Sequence, residues 1–146
     1  LGAEKVRYAF TTQQFYSFLD SADLCQFVYG PAWTLYGPQE TVDVVKAITG
    51  WHDFTLDELL TVGARRINMM RVFNAREGLT RADDRLPKKF FKPLQGTGPT
   101  AGVALSEAEI EAATDRYFAL AGWDADGVPT RAELARLGLE WVMEGL

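Results

Sequence analysis

Three short stretches limit what this chain can become. Residues 55 to 58 read TLDE, residues 106 to 109 read SEAE, and residues 130 to 133 read TRAE. Each is a Ser or Thr followed three residues later by Glu, the capping box that opens a helix. The hydroxyl accepts from the orphan amide three positions on, and the glutamate reaches back to the cap's own amide. Apolar residues at helical spacing follow each box. From Thr55 the run is Leu59, Val62, Ile67, Met70 and Phe73, with Gly78 placed to close it. From Ser106 it is Ile110, Tyr117, Phe118 and Leu120, stopping at Gly122. The third box opens a short helix that ends at Leu137-Gly138. Two more helices lack a box. Residues 3 to 19 place Val6, Phe10, Phe15, Phe18 and Leu19 on one face, and residues 39 to 49 do so with Val42, Val45 and Ile48 before Gly50. GPAWTLYGP, residues 30 to 38, reads as a loop, and residues 79 to 104 as a long irregular segment rich in Gly, Pro and Lys. No strand pair is evident. The expectation is a single all-α domain over residues 1 to 146, an irregular bundle of about five helices with long loops.

A chain of 146 residues can bury a core without disulfides. Its net charge of −5 disfavours nucleic acid or an anionic membrane as a main partner. No apolar run reaches membrane-spanning length. The start, LGAEKVRYAF, lacks the apolar core of a leader peptide and an initiator methionine. One cysteine permits no internal disulfide, which fits a reducing, cytoplasmic setting.

Five groups could carry chemistry. Gly122 to Glu133 resembles a calcium loop: Asp124, Asp126, Gly127 and Glu133 fall at positions three, five, six and twelve. Position one is Gly122 rather than a carboxylate, and position eight is Pro129, so a plain turn is the preferred reading. Arg65, Arg66, Asn68, Arg71, Asn74, Arg76 and Glu77 share one helix, with Asp83 and Asp84 just beyond. Arginine forks match carboxylates readily, so structural pairs are preferred over a ligand role. His52, the single histidine, is expected on a loop and has no partner histidine for metal or triad chemistry. Arg85, Lys88, Lys89 and Lys92 form a basic stretch able to steer an acidic protein partner, although most such stretches are merely solvated. Cys25 by itself reads as a small buried hydrophobe, labelled by a thiol reagent only after partial unfolding. An iron–sulfur ligand needs three further thiolates, which this chain does not contain.

The joint order of several motifs is more specific than any one of them. DSADLC runs from Asp20 to Cys25, and Thr49-Gly50-Trp51 follows. Then come Gly63-x-Arg65, the stretch from Arg71 to Gly78, and Arg81-x-Asp83-Asp84-x-Leu86-Pro87. Gly122-Trp123-Asp124, Gly127-x-Pro129-Thr130 and Leu137-Gly138-Leu139 close the series. Together they resemble the C-terminal region of the tungsten-containing aldehyde:ferredoxin oxidoreductase family, over nearly the whole chain. The resemblance implies that Cys25 is the fourth ligand of a 4Fe–4S cluster whose other ligands lie upstream. It implies that Asp20 and the backbone near Leu24 lie against one of two pyranopterins holding tungsten or molybdenum. It implies oxidation of a small aldehyde to a carboxylic acid, with electrons passing to ferredoxin or a similar carrier. It also implies partner domains upstream in the same chain, and a substrate-channel and packing role for the arginine-rich helix. The isolated domain is then expected to be inactive, and a homo-oligomer is compatible with it. Asp23 departs from the family motif, which often has Gly there; a positive φ would suit Asp less well, and its charge would tend to lower a cluster's potential. Two alternatives stay open: a related subunit that reduces an aromatic acyl-CoA ring, and a non-enzymatic helical binding module with a degenerate calcium loop.

Overall fold

The computed structural model describes residues 1–30 and 36–143. Six α-helices appear among these: α1 (Ala3–Ser21), α2 (Gln26–Tyr29), α3 (Pro38–Thr49), α4 (Leu56–Arg76), α5 (Glu107–Ala121) and α6 (Arg131–Leu137). The all-α expectation holds. The additional helix is α2, a single turn directly after Cys25, too short to leave a periodic pattern. Most of the loop expected over residues 30 to 38 lies outside the described residues. No helix among the described residues is long and apolar enough to cross a membrane.

Two of the three boxes form in full. The Glu58 amide donates to Thr55 Oγ1 at 3.2 Å and the Thr55 amide to Glu58 Oε2 at 2.8 Å; Ser106 and Glu109 repeat the pattern. The third forms by half. Thr130 Oγ1 accepts from the Glu133 amide, but the Glu133 carboxylate turns to Arg136, which binds it through Nε and Nη2 at 2.8 and 2.6 Å. The segment from 79 to 104 is irregular, as expected, with 3-10 turns at Arg81–Asp83 and Lys88–Phe91.

The long helices α1 and α4 form the central pair. At their crossing Gly63 lies so close to α1 that a Cβ there would sit 1.9 Å from the Gln14 carbonyl oxygen. One core cluster joins Phe15, Phe18, Leu19, Val42, Phe54 and Leu59, at the end where α1 stops and α4 begins. A second joins Ala64, Val72, Leu134, Leu137, Leu139 and Val142, where α6 covers the far half of α4. Three expected core positions are misplaced: Ile48, Met70 and Phe73 are exposed. The buried stripe of α4 runs instead through Leu59, Gly63, Ala64, Asn68 and Val72. Small residues on that stripe let neighbouring helices approach closely, which rotates Met70 and Phe73 outward.

Candidate functional site

The end of α1 is closed by a Schellman turn. The Leu24 amide donates to Leu19 O at 2.9 Å, and Asp23 takes the left-handed conformation with φ +56°. Among the described residues Asp23 alone does so without being a glycine. Position 23 of this chain therefore does take a positive φ. The turn drops the chain directly into Cys25, the N-cap residue of α2, so Asp20, Leu24 and Cys25 come together on one short, rigid segment. Leu24 packs against the first core cluster. Cys25 is a free, exposed thiol, not the buried hydrophobe expected from composition, because α2 holds its backbone outside that core. It is open to labelling in the folded state.

Asp20 lies in the last turn of α1. Oδ1 accepts from Gln26 Nε2 at 2.6 Å and Oδ2 from Arg66 Nη1 at 3.0 Å. A carboxylate at a helix C-terminus opposes the helix dipole, and Asp23 adds a second charge there. No basic residue occupies that last turn. The cation that offsets Asp20 comes across from α4. A local rule broken in this way, with a partner recruited to sustain it, is the pattern found at functional positions.

From Asp20 a cleft of about 750 Å³ extends along α1, between it, α4, α5 and the Asp83–Leu86 loop. Its walls are mostly apolar, with Ile67, Met70, Ile110 and Phe118 among them. Arg71 is part of its wall. Both terminal nitrogens bind Asp84, at 2.8 and 2.5 Å, and Nε donates to Gly127 O at 2.6 Å. The guanidinium also lies over the Trp123 and Phe118 rings, 4.9 and 5.6 Å from their centroids. Trp123 Nε1 donates to buried Asn68 Oδ1 at 2.9 Å, and Asn68 Nδ2 to Ala64 O. Tyr117 donates its hydroxyl to Gln13 across the cleft. Burial pushes the Tyr117 phenol up to about 12, with Asp84 adding to the rise and Arg71 opposing it. Thr80, through its amide and hydroxyl, holds Asp83 below the usual carboxylate range.

The arginine cluster thus bears out structural pairing. Arg65 Nε binds Leu137 O at 2.8 Å and Arg76 binds Val142 O, fixing α4 to the C-terminal segment. Arg81 joins Asp115 at 2.5 Å. The calcium-like loop is a turn. Asp124 Oδ1 is occupied by the Asp126 and Val128 amides, and Gly122 O accepts from the Thr130 amide and hydroxyl. Among the described residues no three His, Cys, Asp or Glu side chains gather as metal ligands. His52 is exposed on its loop, as expected. The basic stretch is tied through Leu105 N and Phe90 O to the start of α5. That start meets the beginning of α1, where the Leu1 amine lies 3.8 Å from Glu109. Sequence reasoning placed Tyr117 only among the apolar positions of α5 and missed its bond to Gln13 and the seat of Arg71 on Trp123; the partners lie far away in the chain and leave no local signal.

Comparison with known proteins bears directly on this arrangement. A family model described as "Aldehyde ferredoxin oxidoreductase, domains 2 & 3" matches residues 1–139. The chain belongs to the aldehyde ferredoxin oxidoreductase family. It is 34% identical over 138 residues to the tungsten-containing aldehyde ferredoxin oxidoreductase of Pyrococcus furiosus, covering 93% of this chain and 21% of that one. The Pyrococcus horikoshii protein of the same description is 34% identical over 142 residues, covering 96% and 22%. The chain thus spans about a fifth of the length of these relatives. Among solved structures, the active site complex BamBC of benzoyl coenzyme A reductase, bound to 1,5-dienoyl-CoA, superposes with a TM-score of 0.74. That match covers 95% of this chain and 20% of the other at 21% identity, and it establishes a shared fold. In this family member, the DSADLC motif is the α1–α2 turn, Thr49-Gly50-Trp51 is the corner after α3, and Gly63 is the helix crossing.

Proposed function

We propose that this chain is the C-terminal part of a tungsten (or molybdenum) oxidoreductase that converts a small aldehyde to its carboxylic acid. Aldehyde and water yield acid, two protons and two electrons, and the electrons leave for ferredoxin or a similar carrier. The observation that carries the reading is the α1–α2 turn, which presents Asp20, Leu24 and an exposed Cys25 on one rigid segment of a family member. Bound to the full-length enzyme, a metal bis-pyranopterin would supply oxygen-transfer chemistry and a 4Fe–4S cluster would accept electrons singly.

The residues present suit those groups. Cys25 offers one accessible thiolate of the four a cluster requires, the others being contributed by upstream domains of the same polypeptide. Asp20 is acceptor-only when ionised, and a pterin's amino and ring N–H groups are donors. Arg66 and Gln26 fix the carboxylate's orientation while leaving it further acceptor sites and partial exposure. Asp20 lies five positions before Cys25, so one turn can touch both groups. The cleft leads along α1 to Asp20, and its apolar lining suits passage of an uncharged aldehyde. The ring-reducing alternative has the shared fold of the reductase complex at 21% identity behind it, whereas the relatives at 34% identity are aldehyde enzymes, and the aldehyde reading is the one preferred.

Elemental analysis of the anaerobically purified full-length protein tests the proposal. About four irons and one tungsten or molybdenum per chain are expected, with aldehyde-dependent reduction of ferredoxin. Cys25→Ser should keep the tungsten and lose the iron. Full-length protein holding neither metal would sink the enzyme reading.

A further inference from the structure

The cleft beside α1 holds more positive charge than its carboxylates neutralise. Four cationic side chains and three carboxylates line it. Arg66 is taken by Asp20 and Arg71 by Asp84. Asp83 accepts from the Thr80 amide and hydroxyl at 2.8 and 3.2 Å. Lys5 and Arg85 remain. Both are exposed, and neither side chain makes a hydrogen bond or ion pair among the described residues. Thr80 is the larger cause of the lowered Asp83 carboxyl, and Arg85 adds to it only through space. Arg85 is nonetheless on a fixed backbone. Its amide donates to Asp83 O at 2.9 Å, and Arg71 pins the preceding residue, Asp84. Lys5 lies fifteen positions before Asp20 on α1, about 22 Å along the axis at 1.5 Å per residue. The cleft thus reaches from Asp20 to Lys5, with Ile67, Met70, Ile110 and Phe118 among its apolar walls.

We propose that this cleft binds an apolar carboxylate, the product of aldehyde oxidation. Arg85 takes the carboxylate, the apolar walls take the hydrocarbon body, and Lys5 adds positive potential. The ligand's identity rests on the aldehyde-oxidising reading; the cleft and its two unpartnered cations do not. Oxidation turns an uncharged aldehyde into an anion, so an unpaired cation distinguishes product from substrate. The size agrees. The cleft measures about 750 Å³, and small-molecule pockets span about 300–1,000 Å³, mostly apolar with a few placed polar groups. A guanidinium presents parallel donors to a carboxylate, and one without an internal partner keeps them for a ligand. A cation in open water gains little from an anion, but low-dielectric walls beside it concentrate its field. A cationic ligand fits less well, because each carboxylate of the cleft already has donors within the chain: Asp20 from Arg66 and Gln26, Asp84 from Arg71, and Asp83 from Thr80.

Equilibrium dialysis of the full-length protein against 3-phenylpropionate and its uncharged amide tests this. The acid should bind at least about tenfold tighter than the amide at low salt, and added salt should shrink that preference. Arg85→Gln should abolish the preference while leaving amide binding as it was, since the apolar walls are untouched. Arg85→Lys, which keeps the charge but not the fork, should retain part of it, and Lys5→Gln should lower it less than Arg85→Gln does. Both side chains are exposed and unpartnered among the described residues, so the variants' unfolding midpoints should match wild type. Equal binding of acid and amide by wild type, no binding of either, or a full preference in Arg85→Gln overturns the site. Tungsten, molybdenum and iron are measured on the same samples. Metal-loaded protein that oxidises aldehydes without preferring the acid sinks the site and leaves the enzyme reading intact. Metal-free protein whose acid preference disappears in Arg85→Gln keeps the site and sinks the enzyme reading.

Discussion

Arg71 binds Asp84 through two parallel hydrogen bonds, 2.8 and 2.5 Å long, while its third nitrogen holds Gly127 O. One side chain thereby joins α4, the Asp83–Leu86 loop and the turn before α6. The guanidinium is largely buried, and Trp123 and Phe118 pack against it. Replacing it with Ala leaves Asp84 without its partner and removes the ring contacts, at a cost of about 2–4 kcal/mol. Arg71→Lys keeps the charge but not the fork, and should lose about half of that. Urea denaturation of the three proteins measures this; equal midpoints for Arg71→Lys and wild type would contradict the fork's importance.

The α1–α4 crossing gives a prediction whose sign is contested. In an exposed helix Gly→Ala stabilises by about 1 kcal/mol. At Gly63 the added methyl would lie 1.9 Å from Gln14 O and 2.7 Å from Gln14 C, both backbone atoms that cannot swing away. Parting the two central helices costs about 2–3 kcal/mol as overpacking does elsewhere, so the clash outweighs the propensity. Gly63→Ala should lower the thermal midpoint, at about 3 °C per kcal/mol for a domain of this size. A raised midpoint would mean that the helices are not held this closely.

These two positions show what was readable beforehand. Thr55 and Ser106 announced their helices because a capping box is a local device, complete within four residues. Thr130 half-misled, since Glu133 had a competing partner, Arg136, in the same turn. Periodicity put Met70 and Phe73 inside α4 and missed Asn68. Asn68 is tolerated in the core because Ala64 O and Trp123 Nε1 satisfy its amide, and Trp123 is 55 residues away. The Asp20–Cys25 segment was legible as one contiguous motif. The Arg66 partner of Asp20, the seat of Arg71 and the Tyr117–Gln13 bond across the cleft were not, because tertiary packing alone brings them together.

Alkaline pH offers a direct probe of the cleft. Tyr117 has its phenol pushed up to about 12 by burial, whereas in the unfolded chain it ionises near the ordinary value of 10.0. Below pH 10 the group is neutral in both states and its contribution is intact. Between pH 10 and 12 the unfolded chain releases the proton first, so stability falls as pH rises, by about 2–3 kcal/mol for the full two-unit difference. Tyr117→Phe should be less stable at pH 8, having lost the Gln13 bond, and should lose part of the fall above pH 10. Urea midpoints for both proteins at pH 8, 10 and 11 check this. Parallel slopes would show that Tyr117 ionises as it does in water.

Asp23 carries the sharpest expectation for the site itself. Its φ of +56° costs a non-glycine residue about 1 kcal/mol, and its charge at the end of α1 adds a few tenths through the helix dipole. Glycine relieves both, although its greater freedom in the unfolded chain returns part of the gain. Asp23→Gly should therefore stabilise the protein by about 1 kcal/mol. In the full-length enzyme the same change removes a negative charge two residues from Cys25. If Cys25 binds the cluster, the cluster's midpoint potential should rise, since less negative charge nearby favours the reduced form. Denaturation and a redox titration followed by electron paramagnetic resonance read the two effects separately. Stabilisation with an unchanged potential would count against a cluster at this turn, while a higher potential would show that Asp23 lowers the potential of a cluster bound beside it.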